Sequence, residues 1–301
     1  MRWNWVIGGT VALLIISVIA AIVLTTDDQG QREEGSSEPA AASEGLPETS
    51  DYHSLLVAYD DPDEIYLGTH QGLFASSDGG ASWRQTGAIE GDVMNLARDA
   101  SNQDVLYAAG HQLFQKSTDG GETWKDIPLD DAIAETRASD GVKGVDIHGF
   151  AADPTQADTV YAAVANRGLY RSTDGGASFV KLSDTGAAGV AVTETDPRRI
   201  YLADARQGLL VSTDEAKSWK LLQLGVFSVA VAPDESHRVL AAGKAIYLSD
   251  DGESFRQVQA GPTNGFGRVA FAPSDASRAY AVGYDRVPYV SQDGGRTWNE
   301  R

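Results

Sequence analysis

The chain has 301 residues, no cysteine, and a formal net charge of −19 from 43 acidic and 24 basic side chains. Without cysteine there is no disulfide, no thiol nucleophile and no lipoprotein processing. A surface this acidic excludes nucleic-acid binding, which must neutralise phosphates, and suits an exported domain that repels anionic surfaces.

Residues 1–4 carry Arg2, and Trp5 to Thr26 form an uncharged, largely apolar run. About 20 residues suffice to cross a bilayer as a helix, so residues 1–26 are read as an N-terminal signal-anchor transmembrane helix. A cleaved signal peptide is the competing reading, but the run is long for a signal core and ends without a small-x-small site. Arg2 precedes the span while Asp27, Asp28, Glu33 and Glu34 follow it. That asymmetry keeps the N-terminus cytoplasmic and places the remainder outside, as a single-pass protein of the cell membrane. Residues 27–50 hold seven acidic side chains against Arg32, a net of −6, and one strongly apolar residue, Leu46. Such a segment reads as a disordered acidic linker.

From residue 51 onward the pattern is strand alternation, with no helical period outside 130–136. An eight-residue hairpin signature then recurs: SSDGGASW from Ser76, STDGGETW from Ser117, STDGGASF from Ser172 and STDEAKSW from Ser212. A shortened copy, SDDGESF, starts at Ser249, and SQDGGRTW from Ser291 closes the series. Its aspartates, Asp78, Asp119, Asp174, Asp214, Asp251 and Asp293, lie 41, 55, 40, 37 and 42 residues apart. A period near 40 with four strands per copy predicts an all-β, six-bladed β-propeller over residues 51–301. Each aspartate can accept backbone N–H groups of its own turn, and the glycines allow φ > 0 there. Trp83, Trp124, Trp219 and Trp298, with Phe179 and Phe255, are expected to bury rings between blades. These are structural staples, since a catalytic residue is not needed six times.

The signature SxDxGx[ST]W resembles the Asp box, or BNR repeat, of sialidases, sortilin-type receptors, xyloglucanase-type glycosidases and photosystem II assembly factors. The soluble part as a whole is similar to exported bacterial BNR propellers that carry a glycosyl-hydrolase label. The resemblance implies a fold and leaves the activity open. Sialidase action would imply an Arg-Ile-Pro segment, three clamping arginines and a Tyr–Glu pair; Arg199-Ile200-Tyr201 is only a strand start. Xyloglucanase-type enzymes imply two propellers. Photosystem II assembly factors imply a basic patch on a seven-bladed ring, which a net charge of −19 does not favour.

Propeller geometry places the Asp boxes and the loops between first and second strands on one face. The loops between second and third strands, and those between blades, occupy the other, where ligand sites gather. Sorted this way, His53, His70, His111 and His148 fall on that second face in adjacent blades, and His237 on the first. Asp51 and Asp146 stand beside them in sequence as carboxylate partners. Imidazole with carboxylate suits zinc, copper or iron, so a divalent metal is one expectation for His53, His70, His111 and His148; separate loop histidines are the other. Arg137 in the long connection 129–143, together with Arg167, Arg206 and Tyr284, completes the candidate ligand face. No spacing singles out a pair of carboxylates for glycoside hydrolysis among Asp51, Asp92 and Asp146.

The function expected is therefore a non-catalytic binding or scaffold module, tethered to the membrane, for a cell-envelope protein or glycan. The alternative is a glycoside hydrolase-like or metal-dependent hydrolase. No cofactor beyond a divalent metal is expected, nor any nucleic-acid partner, and the propeller reads as a monomer.

Overall fold

The structure is a computed structural model that describes residues 43–49, 51–128, 133, 145–194, 198–234 and 236–301. Among the described residues six antiparallel sheets follow one another along the chain, each a meander of four strands in sequence order, the first with one further edge strand. Their inner strands are Tyr52–Val57, Asn95–Arg98, Ile147–Ala152, Gly189–Val192, Val226–Val231 and Phe266–Ala272. Each inner strand contacts the next, and the last contacts the first, so the ring is closed. This is the six-bladed propeller that the repeat spacing predicts.

Second strands carry the core. Residues 106–110, 160–164, 200–204 and 239–243 are almost entirely apolar, and all but Asp204 are buried. Both faces of a blade are covered by neighbouring blades, which is why these strands are apolar throughout rather than alternating. Each blade interface has its own cluster. Tyr107, Phe114 and Phe150 join blades two and three, whereas Tyr201 and Leu209 pack with Val239 across blades four and five.

The Asp box is a self-contained staple. In blade one Asp78 Oδ1 accepts from Ser76 Oγ (2.8 Å) and Ser82 N (2.9 Å), while Ser82 Oγ donates to Asp78 Oδ2 at 2.6 Å. Ser76 Oγ in turn accepts from Gly80 N, and Trp83 Nε1 donates to the Gly80 carbonyl at 3.0 Å. Hydrogen bonds of this kind hold the Asp119 and Asp214 carboxyls down at about 2, well below the ordinary carboxylate value. Blade four lacks the glycines, and there Glu215 and Ala216 take φ of 61° and 67°. In four blades the box also caps the loop between first and second strands, as in the 2.9 Å bond from Gly79 N to the Asp63 carbonyl.

The closure seam departs from the sequence reading in one respect. Residues 43–49 were expected in the disordered acidic linker. In the structure Ser43–Glu44 pair with Trp83 and Ser82, as a fifth strand on the outer edge of blade one. Blade six keeps its own outer strand, Asn299–Glu300. Leu46, 2% exposed, enters the core cluster between blades one and six with Trp83, Tyr52 and Val290. Tyr52 Oη donates to the Pro47 carbonyl at 3.1 Å, and Arg286 pairs with Glu48 at 2.7 Å. Composition pointed to a tether because eight charged side chains outnumber one leucine; a single buried side chain and an edge strand suffice to dock the segment.

Across the same seam Arg278 reaches Asp63 at 2.5 Å and Tyr280 Oη donates to the Pro62 carbonyl. The expected transmembrane helix of residues 1–26 lies outside the described residues. Among the described residues no helix is long and apolar enough to cross a membrane.

Candidate functional site

Two features of the local backbone aim histidines at one rim of the channel. The first is a β-bulge at the head of the inner strand. In blade one Tyr52 pairs with Thr69 and Ser54 with Gly68, leaving His53 as the extra residue. Blade three repeats the irregularity at His148, between Ile147 and Gly149. A bulge turns its extra side chain out of the normal pleat, which brings both rings towards the channel mouth. Blades five and six bulge at the equivalent places, but carry Phe227 and Gly267 there. The second feature is the tight turn after the second strand. Thr69 Oγ1 accepts from Gln71 N at 3.0 Å and presents His70 at the tip of its turn. In blade two His111 forms an antiparallel bridge with Asp146, and Gln112 takes φ of 55°.

Asp92 joins these pieces. It lies in the connection from blade one to blade two, and its neighbour Val93 donates to the Thr69 carbonyl at 3.1 Å. The backbone there runs so close to Gly110 that a Cβ on that glycine would sit 2.1 Å from the Asp92 carbonyl oxygen. Only glycine fits. The Asp92 carboxylate is 14% exposed, and its Oδ2 lies 2.5 Å from His111 Nδ1 and 3.0 Å from His70 Nδ1. Oδ1 lies 3.6 Å from His53 Nε2, too far for a hydrogen bond.

The arrangement continues at both ends. His70 Nε2 stands 3.5 Å from Asp51 Oδ2. His111 Nε2 stands 3.1 Å from Asp146 Oδ1, and Asp146 Oδ2 is hydrogen-bonded to His148 Nε2 at 2.9 Å. Rings cross edge to face in two pairs, His53 with His70 (centroids 4.3 Å apart) and His111 with His148 (5.7 Å). Four imidazoles and three carboxylates therefore run as one ribbon across the rims of blades one, two and three. Both nitrogens of His111 face carboxylate oxygens, and a neutral ring can donate from only one of them.

Burial differs along the ribbon. His53 is 12% exposed, and loss of water pulls its pKa down to about 4, against the opposing pull of Asp92. His70, His111 and His148 are open to solvent. Behind His53, the Arg268 guanidinium donates through Nε to the His53 carbonyl, and burial lowers that guanidinium's own pKa.

His53, His70, His111 and His148 thus stand together with Asp51 and Asp146. Tyr284 stacks on Tyr52 (6.2 Å) and touches Phe227, between blades five, six and one. Arg167 and Arg206 sit in the equivalent turns of blades three and four, and the blade-three turn meets the ribbon where Ala165 N donates to the Asp146 carbonyl at 2.8 Å. Arg137 lies outside the described residues. Two participants were not assigned to the site from sequence. Asp92 was noted only as one carboxylate among several, and Arg268 not at all. The available signal for Asp92 was its place one blade connection away from both GTHQG and AGHQL.

A cavity of about 760 Å³ occupies the opposite end of the channel. Leu55, Tyr59, Arg98, Pro154, Val231 and Phe271 are among its lining residues, and no histidine of the ribbon reaches it.

Comparisons with known proteins place this geometry. The structure is similar to the GH74 xyloglucanase from Xanthomonas campestris, with a TM-score of 0.57 and 18% identity. That match covers 86% of this chain but 46% of the xyloglucanase, so the chain spans about half that enzyme's length. YCF48 from Cyanidioschyzon merolae matches at a TM-score of 0.51 and 16% identity, over 87% of this chain and 88% of that one. A structure of YCF48 bound to D1 peptide gives 0.51 and 19%, over 86% and 84%. At these identities the likeness is one of fold. No curated protein matches. The profile of the family described as photosynthesis system II assembly factor YCF48 matches residues 44–301, the whole propeller together with the docked strand before it. The chain belongs to that family of BNR-repeat propellers.

Proposed function

We propose that the chain is a non-catalytic binding propeller for a protein partner, held at the membrane by residues 5–26 with the propeller on the extracytoplasmic side. The observation that carries the reading is membership of the YCF48 family over residues 44–301, together with the D1 peptide on a solved YCF48. The partner is a different surface, because the present chain is strongly acidic: its net charge of −19 favours a partner with exposed basic side chains. A cell-envelope protein meets that description better than a neutral glycan. The face taken is the one bearing the histidine ribbon, Arg167, Arg206 and Tyr284. It offers polar and aromatic groups where the Asp-box face offers turns already satisfied by their own hydrogen bonds.

Affinity capture from envelope membranes tests this, using the untagged full chain and two surface variants. A partner retained by the wild type and by Lys217→Glu on the Asp-box face, but lost with Arg167→Glu/Arg206→Glu, supports the reading. Equal capture by all three, or none by the wild type, overturns it. A hydrolase is the second reading, favoured by the seven ionisable groups gathered on one rim; turnover of a hydrolase substrate that disappears with Asp92→Asn would replace the first.

A further inference from the structure

Partner binding does not account for the composition of the ribbon. We propose that it is a dinuclear site for first-row divalent transition metals: Asp51, His53 and His70 hold one ion, His111, Asp146 and His148 hold the other, and the Asp92 carboxylate bridges them.

Each triad offers two imidazoles and one carboxylate, with one ligand atom per residue and all three within 4.8 Å of one another. Two histidines with a carboxylate form a ligand set for zinc, iron, cobalt or manganese, and the open sides of His70, His111 and His148 leave room for water as a further ligand. The halves are alike in construction, each built from a bulged histidine at the head of an inner strand, the aspartate two residues before it, and a histidine from a turn after a second strand. Asp92 stands between them, with Oδ1 towards His53 of one triad and Oδ2 shared by His70 and His111 of both. A carboxylate within reach of both triads is what a bridge between two ions requires.

Three unsatisfied atoms supply the independent observation. His53 Nε2, Asp92 Oδ1 and Asp146 Oδ1 are buried, and none has a hydrogen-bond partner. Although His111 Nε2 lies 3.1 Å from Asp146 Oδ1, it does not have hydrogen-bond geometry towards it. Buried polar atoms in native proteins are satisfied, and the exceptions call for an ion, a water or a function. These three belong to the first triad, the bridge and the second triad respectively. Charge balance points the same way: three carboxylates against two dications leave one positive charge, whereas three carboxylates among neutral imidazoles leave three negative ones. Arg268 fixes the His53 carbonyl, and Gly110 lets the Asp92 backbone approach, so the bridge rests on a rigid support.

The inference stands independently of the binding reading. Its test uses the untagged full chain in mild detergent, stripped with chelator, loaded with Zn²⁺ or Co²⁺ and passed through gel filtration. Two ions per chain are expected, with visible absorption from bound Co²⁺ and a higher Tm with Zn²⁺ than without. His53→Gln/His70→Gln and His111→Gln/His148→Gln should each retain one ion, and Asp92→Asn should weaken both sites at least tenfold. Far-UV circular dichroism of the stripped proteins separates lost binding from lost folding, and the Tm shift of the wild type needs no variant at all. Fewer than two ions on the wild type overturns the dinuclear site, as does a single ion lost equally from both double variants. Two ions retained by every variant would place the metal elsewhere.

Discussion

Leu46→Ala separates a docked segment from a free tether. Its side chain is 2% exposed, wedged at the seam where blade six meets blade one, with Trp83, Tyr52 and Val290 around it. Truncating a buried leucine costs about 2–5 kcal/mol, and a site on a short edge segment that can relax belongs near the bottom of that range. We expect about 2–3 kcal/mol, or a fall in Tm of roughly 5–10 °C for a domain of this size. Leu224→Ala is the control: the same atoms are removed from a side chain that is 62% exposed, and the change should stay within about 0.5 kcal/mol. Urea unfolding of the full chain followed by tryptophan fluorescence reads both, since Trp83 lies in the cluster. A Leu46→Ala cost no greater than that of Leu224→Ala would show that residues 43–49 do not hold the seam.

Other consequences of the structure are as direct. Hydrogen bonding depresses the Asp-box carboxyls in the folded state, Asp119 and Asp214 to about 2 from 3.8. Groups shifted down stabilise the fold fully above the unfolded value, and that contribution is lost as pH falls through the folded one. The share of Tm carried by the boxes, read as wild type minus Asp119→Asn/Asp214→Asn, should therefore hold from neutrality to about pH 4 and shrink steeply towards pH 2, apart from the loss between about pH 6.5 and 4 that the lowered His53 brings to both proteins; a difference that stays flat down to pH 2 would contradict the staple. Glu215, exposed at φ 61° in the glycine-free box of blade four, should give a more stable protein as Glu215→Gly, by up to about 1 kcal/mol in urea. Gly110→Ala must displace the Asp92 backbone, so the ring signals of His70 and His111 in NMR spectra should move while the circular dichroism stays unchanged.

What could be read from sequence follows from how local each feature is. The Asp box is legible because its bonds run within eight residues, from Ser76 to Trp83, and six copies give the blade count. The shared face of the four histidines is legible for the same reason: the head of a first strand and the turn after a second strand always lie at one rim. Asp51 and Asp146 were legible beside them, but the remaining partners required three dimensions. Asp92 sits in a connection between blades, outside the repeat, and becomes central only because Gly110 admits its backbone. Arg268 is thirteen residues past Phe255, the aromatic residue of the fifth box, and meets His53 only through ring closure. Leu46 was hidden by composition, since the acidic residues around it describe a solvated chain and say nothing of one side chain finding a cleft. Family membership was equally hard to weigh from charge, because acidity reports on the partner's surface and the blades report on the fold.

The central claim is that a protein partner docks on the histidine face. A photo-cross-linking amino acid placed at Arg206, in the exposed turn of blade four, tests it in intact cells against one placed at Lys217 in the Asp box of the same blade. The account predicts a discrete cross-linked protein from position 206 and none from 217. Cross-links from 217 alone, or from neither position, would contradict it.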